Sequence, residues 1–433
     1  MLHRLVLPLI VVGGLARAEP IDPEDYIQLD PAKARIGQLL FYDKVLSGNR
    51  NIACATCHHH SLAGADGLSL GIGEGGSGLG PDRTPGTGLA AIKERIPRNA
   101  PALWNLGHNS VKNVFHDGRV SISDAYGNGF DTPVDDRFPK GIENIIAAQA
   151  LFPMTSFAEM AGNPGENDVA KAVASGLEHG WPVIAARVQE VPEYTQMFRA
   201  AFDSVDTPED VTIVEIANAI GAFIGSEWQS YDSPYDDLMR NGTPLPEDAE
   251  RGRQLFFGEA GCASCHNGPL FSDQQFHATG LPSFGPGRTR PFDPIQRDVG
   301  RMAETDDIAD AYKFRTPSLR NVELTGPYGH NGAYPTLSAM IRHMANPLAM
   351  RAAWRPDMAH LPIVAWLNQE DFTVLDDQLE MARQEMYVEI EPVMLTDTDV
   401  ADLEAFLRSL TGKTALQRPM GRPDRVPSGL PVD

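Results

Sequence analysis

Two short stretches carry residues whose types and spacing can do chemistry. Residues 54–61 read Cys-Ala-Thr-Cys-His-His-His-Ser, and residues 262–266 read Cys-Ala-Ser-Cys-His. In a C-x-x-C-H pattern two thiols three positions apart each add to a vinyl group of a haem, and the next residue's imidazole reaches the iron from the same side. Cys54, Cys57 and His58 therefore form one candidate haem c site, and Cys262, Cys265 and His266 a second. A redox dithiol or a zinc site would use the same cysteines. Neither calls for the histidine in both copies, and all four cysteines of the chain are taken up by the two motifs. His59 and His60 have little claim on the far face of the first iron, because residues next to the attachment point stay on one side of the porphyrin.

The elements that must position these motifs read as helices. "RIGQLLFYD" (35–43) precedes the first motif and "RGRQLFFGE" (251–259) the second, so that Arg35 matches Arg251 and Phe41 matches Phe257, which marks an internal duplication. Between the halves "DSPYDDLMRNGTPLPED" (232–248) reads as a linker, and the boundary is placed near residue 242. Ile213, Ile216, Ile220, Phe223 and Ile224 share one helix face. A second helix takes Thr396 as N-cap, Val400, Leu403, Phe406 and Leu410 as its stripe, and Gly412 as its stop. A third, "PTLSAMIRHMANP", takes Thr336 as N-cap and ends before Pro347. On its own pattern Met344 is a core residue there and His343 faces solvent. Sustained strand alternation is absent, so the fold class is mainly α.

The remaining segments set the context. Residues 1–18 combine His3 and Arg4, an apolar run from Leu5 to Leu15 and Ala16-Arg17-Ala18, the pattern of a signal peptide cleaved after Ala18. The run is shorter than the ~20 residues that span a bilayer, which implies an exported protein with no membrane span after cleavage. "GIGEGG" (71–76) matches a dinucleotide-loop pattern but continues into "SGLGPDRTPGTG" rather than a helix, so it reads as a flexible glycine-rich loop whose interest is Glu74. Residues 417–433 carry four prolines and no periodicity, which predicts a flexible tail. At 42% hydrophobic content the chain is an ordinary globular one; its formal charge of −22 argues against nucleic acid, which demands cationic surface. The same charge suits steering of a basic partner protein, and equally suits solubility alone.

With both haem motifs, "RNAPALWN" (98–105), "VFHDGR" (114–119), "QALFPMTSFAEM" (149–160) and "FRTPSLRNVELTGPYGHNGAYPTL" (314–337) in order, the chain resembles the bacterial dihaem cytochrome c peroxidases and the related MauG proteins over nearly all of its mature length. The resemblance implies two cytochrome c-like helical domains, 19–242 and 243–416, each with one covalent haem c facing the domain interface. Hydrogen peroxide would be reduced at the amino-terminal haem with electrons relayed through the carboxy-terminal one.

The resemblance also assigns individual residues. The distal ligand of the second iron falls on Met344, seven residues after Leu337, with His343 the alternative; methionine would raise the potential, as suits a relay haem. MauG proteins carry tyrosine at that position. In the peroxidases a loop histidine sixteen residues past the proximal one blocks the first iron. Here that count lands on Glu74, which implies an open iron. Glu159 matches the family's acid/base for O–O cleavage, with Glu74 a weaker alternative. His116 stands where the family has the tryptophan that carries electrons between the haems; Trp104 is the nearest tryptophan in sequence. The family's inter-haem calcium would fall on Asn99, Thr325 and Pro327, and His330 matches a family histidine expected at a haem propionate.

These expectations describe a periplasmic peroxidase fed by a small c-type cytochrome or cupredoxin, with room for a homodimer. Two rivals stand beside it. One is a MauG-like oxidase that modifies a partner protein; the other is a non-enzymatic dihaem electron carrier, which would require a base to cap the first iron.

Overall fold

The computed structural model describes residues 19–290, 293 and 295–433; the expected signal peptide, 1–18, lies outside the described residues. Seven helices build the framework: α1 (Pro31–Tyr42), α2 (Ile145–Ala150), α3 (Ile213–Glu227), α4 (Pro234–Asn241), α5 (Glu247–Phe257), α6 (Leu337–Ala345) and α7 (Asp397–Arg408). Their starts are written in the sequence. Asp30 accepts the Ala32 and Lys33 amides ahead of Pro31, and Thr212 and Thr396 form capping boxes with Glu215 and Asp399. Among the described residues strand is limited to an antiparallel trio, β1 (Asn113–Val114), β2 (Val120–Ile122) and β3 (Phe130–Asp131), and a pair, β4 (Phe276–His277) and β5 (Phe314–Arg315).

The duplication is visible as two crossed helix pairs, α1 on α3 and α5 on α7. Each crosses at a glycine: a Cβ on Gly37 would meet the Ala219 carbonyl oxygen at 1.9 Å, and one on Gly252 would meet that of Asp402 at 1.8 Å. No side chain fits at either point, so the helix backbones touch. The first core joins Leu40 and Phe41 of α1 to Ile216, Ile220 and Phe223 of α3. The second is largely aromatic, with Tyr235 of α4 5.2 Å from Phe271 and Phe256 5.1 Å from Phe406, ring centre to ring centre. Tyr235, Leu238 and Met239 of α4, just ahead of residue 242, pack into this second core.

Two expectations of flexibility fail. The carboxy-terminal segment is anchored on the first half: Val426 is buried, and Met420, Leu430 and Val432 pack on the first core. Ser428 Oγ donates to Asp43 at 2.6 Å, and the Asp433 side chain accepts Thr56 Oγ1 and Lys44 Nζ. The glycine-rich loop is clamped by the buried Arg83, whose guanidinium donates to the carbonyls of Ile72, Gly73 and Gly78 at 2.6–2.8 Å. Backbone-to-side-chain bonds of this kind leave no periodic trace in a sequence.

The halves are also pinned by buried ion pairs. Arg95 reaches Asp371 through two 2.8 Å bonds, and Arg98 reaches Asp298 at 2.7 and 2.8 Å while also donating to Asp117. Among the described residues no helix is long and apolar enough to cross a membrane.

Candidate functional site

Both C-x-x-C-H motifs sit on tight turns directly after the duplicated helices, a helical turn at Cys54–Cys57 and a 3-10 turn at Cys262–Ser264. In each, the histidine amide closes the turn onto the first cysteine carbonyl at 3.0 Å. Each imidazole then makes the same bond: His58 Nδ1 to the Gly64 carbonyl and His266 Nδ1 to the Phe271 carbonyl, both 2.9 Å. Donation from Nδ1 leaves Nε2 as the lone-pair nitrogen, the tautomer an iron ligand needs. Burial lowers the pKa of both rings against those hydrogen bonds and keeps them neutral. Burial also pushes the thiols up, Cys54 and Cys57 to about 12 and Cys262 to about 11, and all four cysteines are free of disulfides.

Glu159 lies on a π-helical turn, Phe157–Ala161, and its charge is felt by both Cys54 and Cys57, which places it at the first motif. Burial raises its carboxyl pKa, against the pull of Arg119, Arg288 and the Ser156 hydroxyl. The turn is backed by the glycine-rich loop: Glu74 N donates to the Ala158 carbonyl at 3.1 Å, and a Cβ on Gly73 would meet that oxygen at 1.9 Å. Glu74 itself is buried, its Oε1 taking Asn49 Nδ2 at 2.7 Å and Asn51 Nδ2 at 2.6 Å. Of the two sequence candidates for an acid, Glu74 is thus engaged by two amides and Glu159 faces the haem motif.

Between the motifs, His116 Nε2 donates to the Asn99 carbonyl at 3.0 Å, and burial, aided by Arg98, brings its pKa down to about 4. Asn99 is a hub: its amide donates to the His330 carbonyl at 2.8 Å and its side chain to the Leu68 carbonyl at 2.7 Å, leaving Oδ1 as acceptor. Pro327 follows a cis peptide and abuts Gly332, as does Ser69, so its segment meets that of Asn99 at Leu68–Ser69. Thr325 caps the turn before it. His330 stacks on Phe314 with ring centres 3.6 Å apart; its buried Nδ1 has no hydrogen-bond partner, and burial lowers its pKa to about 3.

On α6 the sequence pattern misassigned two neighbours. His343, expected in solvent, is fully buried and both its nitrogens are used, Nδ1 with Tyr334 Oη at 3.1 Å and Nε2 with the Thr279 carbonyl at 2.9 Å. It has no lone pair left for an iron. Met344, expected in a core, is half-buried and outside both hydrophobic clusters that flank the helix, which take Leu337, Met340 and Ile341. Helix α6 lies between two cores, so its one-face pattern was a poor guide.

The motifs "RNAPALWN" and "VFHDGR" hold further site residues that the sequence reading left without roles. Asp117 is fully buried and met by Arg98, Arg119 at 3.2 Å and Arg288 at 3.4 Å; burial resists its charge, but the three arginines hold its carboxyl far below the usual range. Arg315 is different. It is a half-buried guanidinium whose bonds go to the Phe115 and Thr316 carbonyls, with no carboxylate in ion-pair reach among the described residues, and desolvation lowers its pKa to about 10. A half-buried cation without a counter-anion suits a group that brings its own carboxylates, as haem does through its propionates.

The comparisons with known proteins agree in kind. The family model for di-haem cytochrome c peroxidases matches residues 31–243. A cytochrome-c peroxidase of Pseudomonas sp. (strain SCT) is 27% identical over 330 residues, 72% of this chain and 73% of that one. The methylamine utilization protein MauG of Paracoccus denitrificans is 28% identical over 425 residues, 93% of each chain. Among solved structures, a MauG-like protein associated with microbial copper homeostasis matches with a TM-score of 0.57 at 27% identity, covering 96% of this chain and 98% of that one.

Proposed function

Because the chain belongs to the di-haem cytochrome c peroxidase and MauG family, we propose that it is an exported, periplasmic peroxidase that reduces hydrogen peroxide to water with two electrons from a small c-type cytochrome or cupredoxin. The observation that carries this reading is Glu159: a half-buried carboxyl of raised pKa, on a π-helical turn, beside the first C-x-x-C-H and no part of its attachment. A structural carboxylate gains nothing from such a place, whereas an acid/base is tuned by it.

The residues divide the work as follows. Cys54, Cys57 and His58 would hold one haem c, and Cys262, Cys265, His266 and Met344 the other; such irons supply electrons and a site for the O–O bond to break. Glu159 takes the proton from the peroxide oxygen nearer the site and returns it to the departing oxygen, which leaves as water. Arg315 and His330 are placed to receive propionates. His116, neutral and fixed to Asn99, holds the ground between the sites by hydrogen bonds. Asn99 Oδ1 with the Thr325 and Pro327 carbonyls offers an oxygen set of the kind calcium takes, and the reading includes one Ca2+ there.

A second reading, a MauG-like oxidase of a partner protein, draws on Glu74. Where the peroxidases carry a blocking histidine this chain has a carboxylate that is tied to Asn49 and Asn51. Met344 argues for the peroxidase. Adding peroxide to the fully oxidised holoprotein while following the Soret band tests both enzyme readings. A fast shift, with the donor then consumed two electrons per peroxide, is the expected result. A spectrum indifferent to peroxide in either redox state would make the protein an electron carrier and sink them.

A further inference from the structure

The loop that holds His58 is gripped by two indoles. Gly64, whose carbonyl takes the His58 Nδ1–H, lies flat against the six-membered ring of Trp228; a Cβ there would come within 3.2 Å of two ring atoms. Trp104 meets Trp228 edge to face, ring centres 5.3 Å apart, and its Nε1 donates to the carbonyl of the preceding Ala63 at 3.1 Å. Both are buried, at 3% and 1% exposure, so neither is a surface residue placed by chance. Gly64 thus bonds the His58 imidazole and abuts the Trp228 ring.

The charged side chains nearest the two rings differ, while one guanidinium, Arg418, also donates to the Glu227 and Gln229 carbonyls on either side of Trp228 at 2.6 and 3.0 Å. Trp228 follows Glu227, a fully buried carboxylate that takes the Met420 and Gly421 amides at 2.9 and 2.8 Å and His60 Nε2 at 2.9 Å, and the His60 ring lies 4.7 Å from the Trp228 ring. Trp104 instead carries the Arg418 guanidinium over its face at 4.7 Å. A nearby anion favours a positive charge on an aromatic ring and a nearby cation opposes it, more strongly in a buried site than in water. Indole is among the most readily oxidised side chains, and the position between the haem motifs, where the family has one, is held here by His116. The buried Trp228 Nε1 has no hydrogen-bond partner, so a ring that loses an electron has no base to give its proton to.

We propose that Trp228 is a redox residue of the first haem site, supplying one of the two electrons that peroxide takes and resting as an indole radical cation until the donor refills it. The proposal rests on the peroxidase reading. One hydrogen peroxide, one electron from Trp228, one electron from the donor protein and two protons give two waters: the O–O bond breaks, two O–H bonds form, and Trp228 is left with one positive charge. A second donor electron restores it. Trp104, under Arg418, is the harder of the pair to oxidise and serves as its packing partner.

The test is electron paramagnetic resonance on the holoprotein mixed with one electron equivalent of reduced donor protein, frozen after one equivalent of hydrogen peroxide, with natural and with ring-deuterated tryptophan. The expected organic radical signal narrows on tryptophan deuteration, is lost in Trp228→Phe and persists in Trp104→Phe, while the Soret response remains in all three proteins. Peptide mass spectrometry of the native holoprotein, cycled with peroxide while donor is kept limiting, should find oxidised indole at Trp228 ahead of Trp104, a readout that does not depend on any variant folding. A Soret response with no indole radical, or with one that survives Trp228→Phe, would overturn the Trp228 assignment alone. No Soret response to peroxide would overturn the peroxidase reading and this proposal with it.

Discussion

His60 Nε2 lies 2.9 Å from the Glu227 carboxylate, and the same carboxylate takes the backbone amides of Met420 and Gly421. One buried acid thus joins the third histidine of the first haem motif to the carboxy-terminal segment. Burial resists its charge, but those donors hold its pKa below the ordinary 4.5. A carboxyl lowered on folding stabilises the protein above its unfolded pKa, and that stabilisation is lost as pH falls through the folded value.

Glu227→Gln should therefore cost about 1–3 kcal/mol at neutral pH, because an amide cannot accept all three donors. Denaturant unfolding at neutral and acidic pH checks it. The variant should lose less stability than the native protein on acidification; parallel losses would show that Glu227 is not the titrating contact.

Glu159 gives a kinetic prediction of opposite sign. Burial raises its pKa above the ordinary 4.5, so the base form that accepts the first peroxide proton is lost as pH falls through that raised value. Peroxide cleavage should slow on the acid side with an inflection there. Glu159→Gln should be slower by roughly 10²–10⁴-fold, lose the inflection, and keep both haems attached. Stopped-flow Soret rates against pH decide it, and unchanged rates would remove Glu159 from its role.

The α6 neighbours separate ligation from packing. Met344→Ala should lower the reduction potential of one haem and leave the other unmoved, since a methionine axial ligand raises the potential. His343→Phe should leave both potentials in place and cost stability instead, because it orphans the buried Tyr334 hydroxyl and Thr279 carbonyl. Spectroelectrochemical titration of both variants reads the contrast; a potential shift in the histidine variant would return His343 to the ligand set.

What could be read from the chain was what is local. The C-x-x-C-H turns follow from covalent spacing, and the caps at Thr336 and Thr396 from side chains that bond amides within one turn. The rest depended on partners far along the chain. The proline-rich segment looked mobile because its anchors, Asp43, Thr56 and Glu227, stand hundreds of residues away and are met partly by backbone groups. His343 looked exposed because a polar residue can be buried wherever both its nitrogens find partners, and Tyr334 and Thr279 supply them. The π-helical turn under Glu159 has no sequence signature of its own, so only the family motif singled that residue out.

The arginines around Asp117 carry the last prediction. Asp117 is met by Arg98, Arg119 and Arg288, whereas Asp298 is met by Arg98 alone, through two bonds. Removing Asp117 takes the ion-pair partner of Arg119 and leaves Arg98 with Asp298 and Arg288 with Glu304; removing Asp298 leaves Arg98 still paired with Asp117. Asp117→Ala should thus cost about 3–5 kcal/mol, the range for a broken buried pair, and Asp298→Ala distinctly less. The double variant should cost more than the sum, because each acid partly compensates Arg98 when the other is gone. Both carboxyls are held below their ordinary 3.8 against the resistance of burial, so each contribution is complete above that value and fades as pH falls below it. Urea unfolding of the holoprotein, single and double variants side by side, measures the three costs; equal single costs would mean that the two acids do not share Arg98 as their geometry implies.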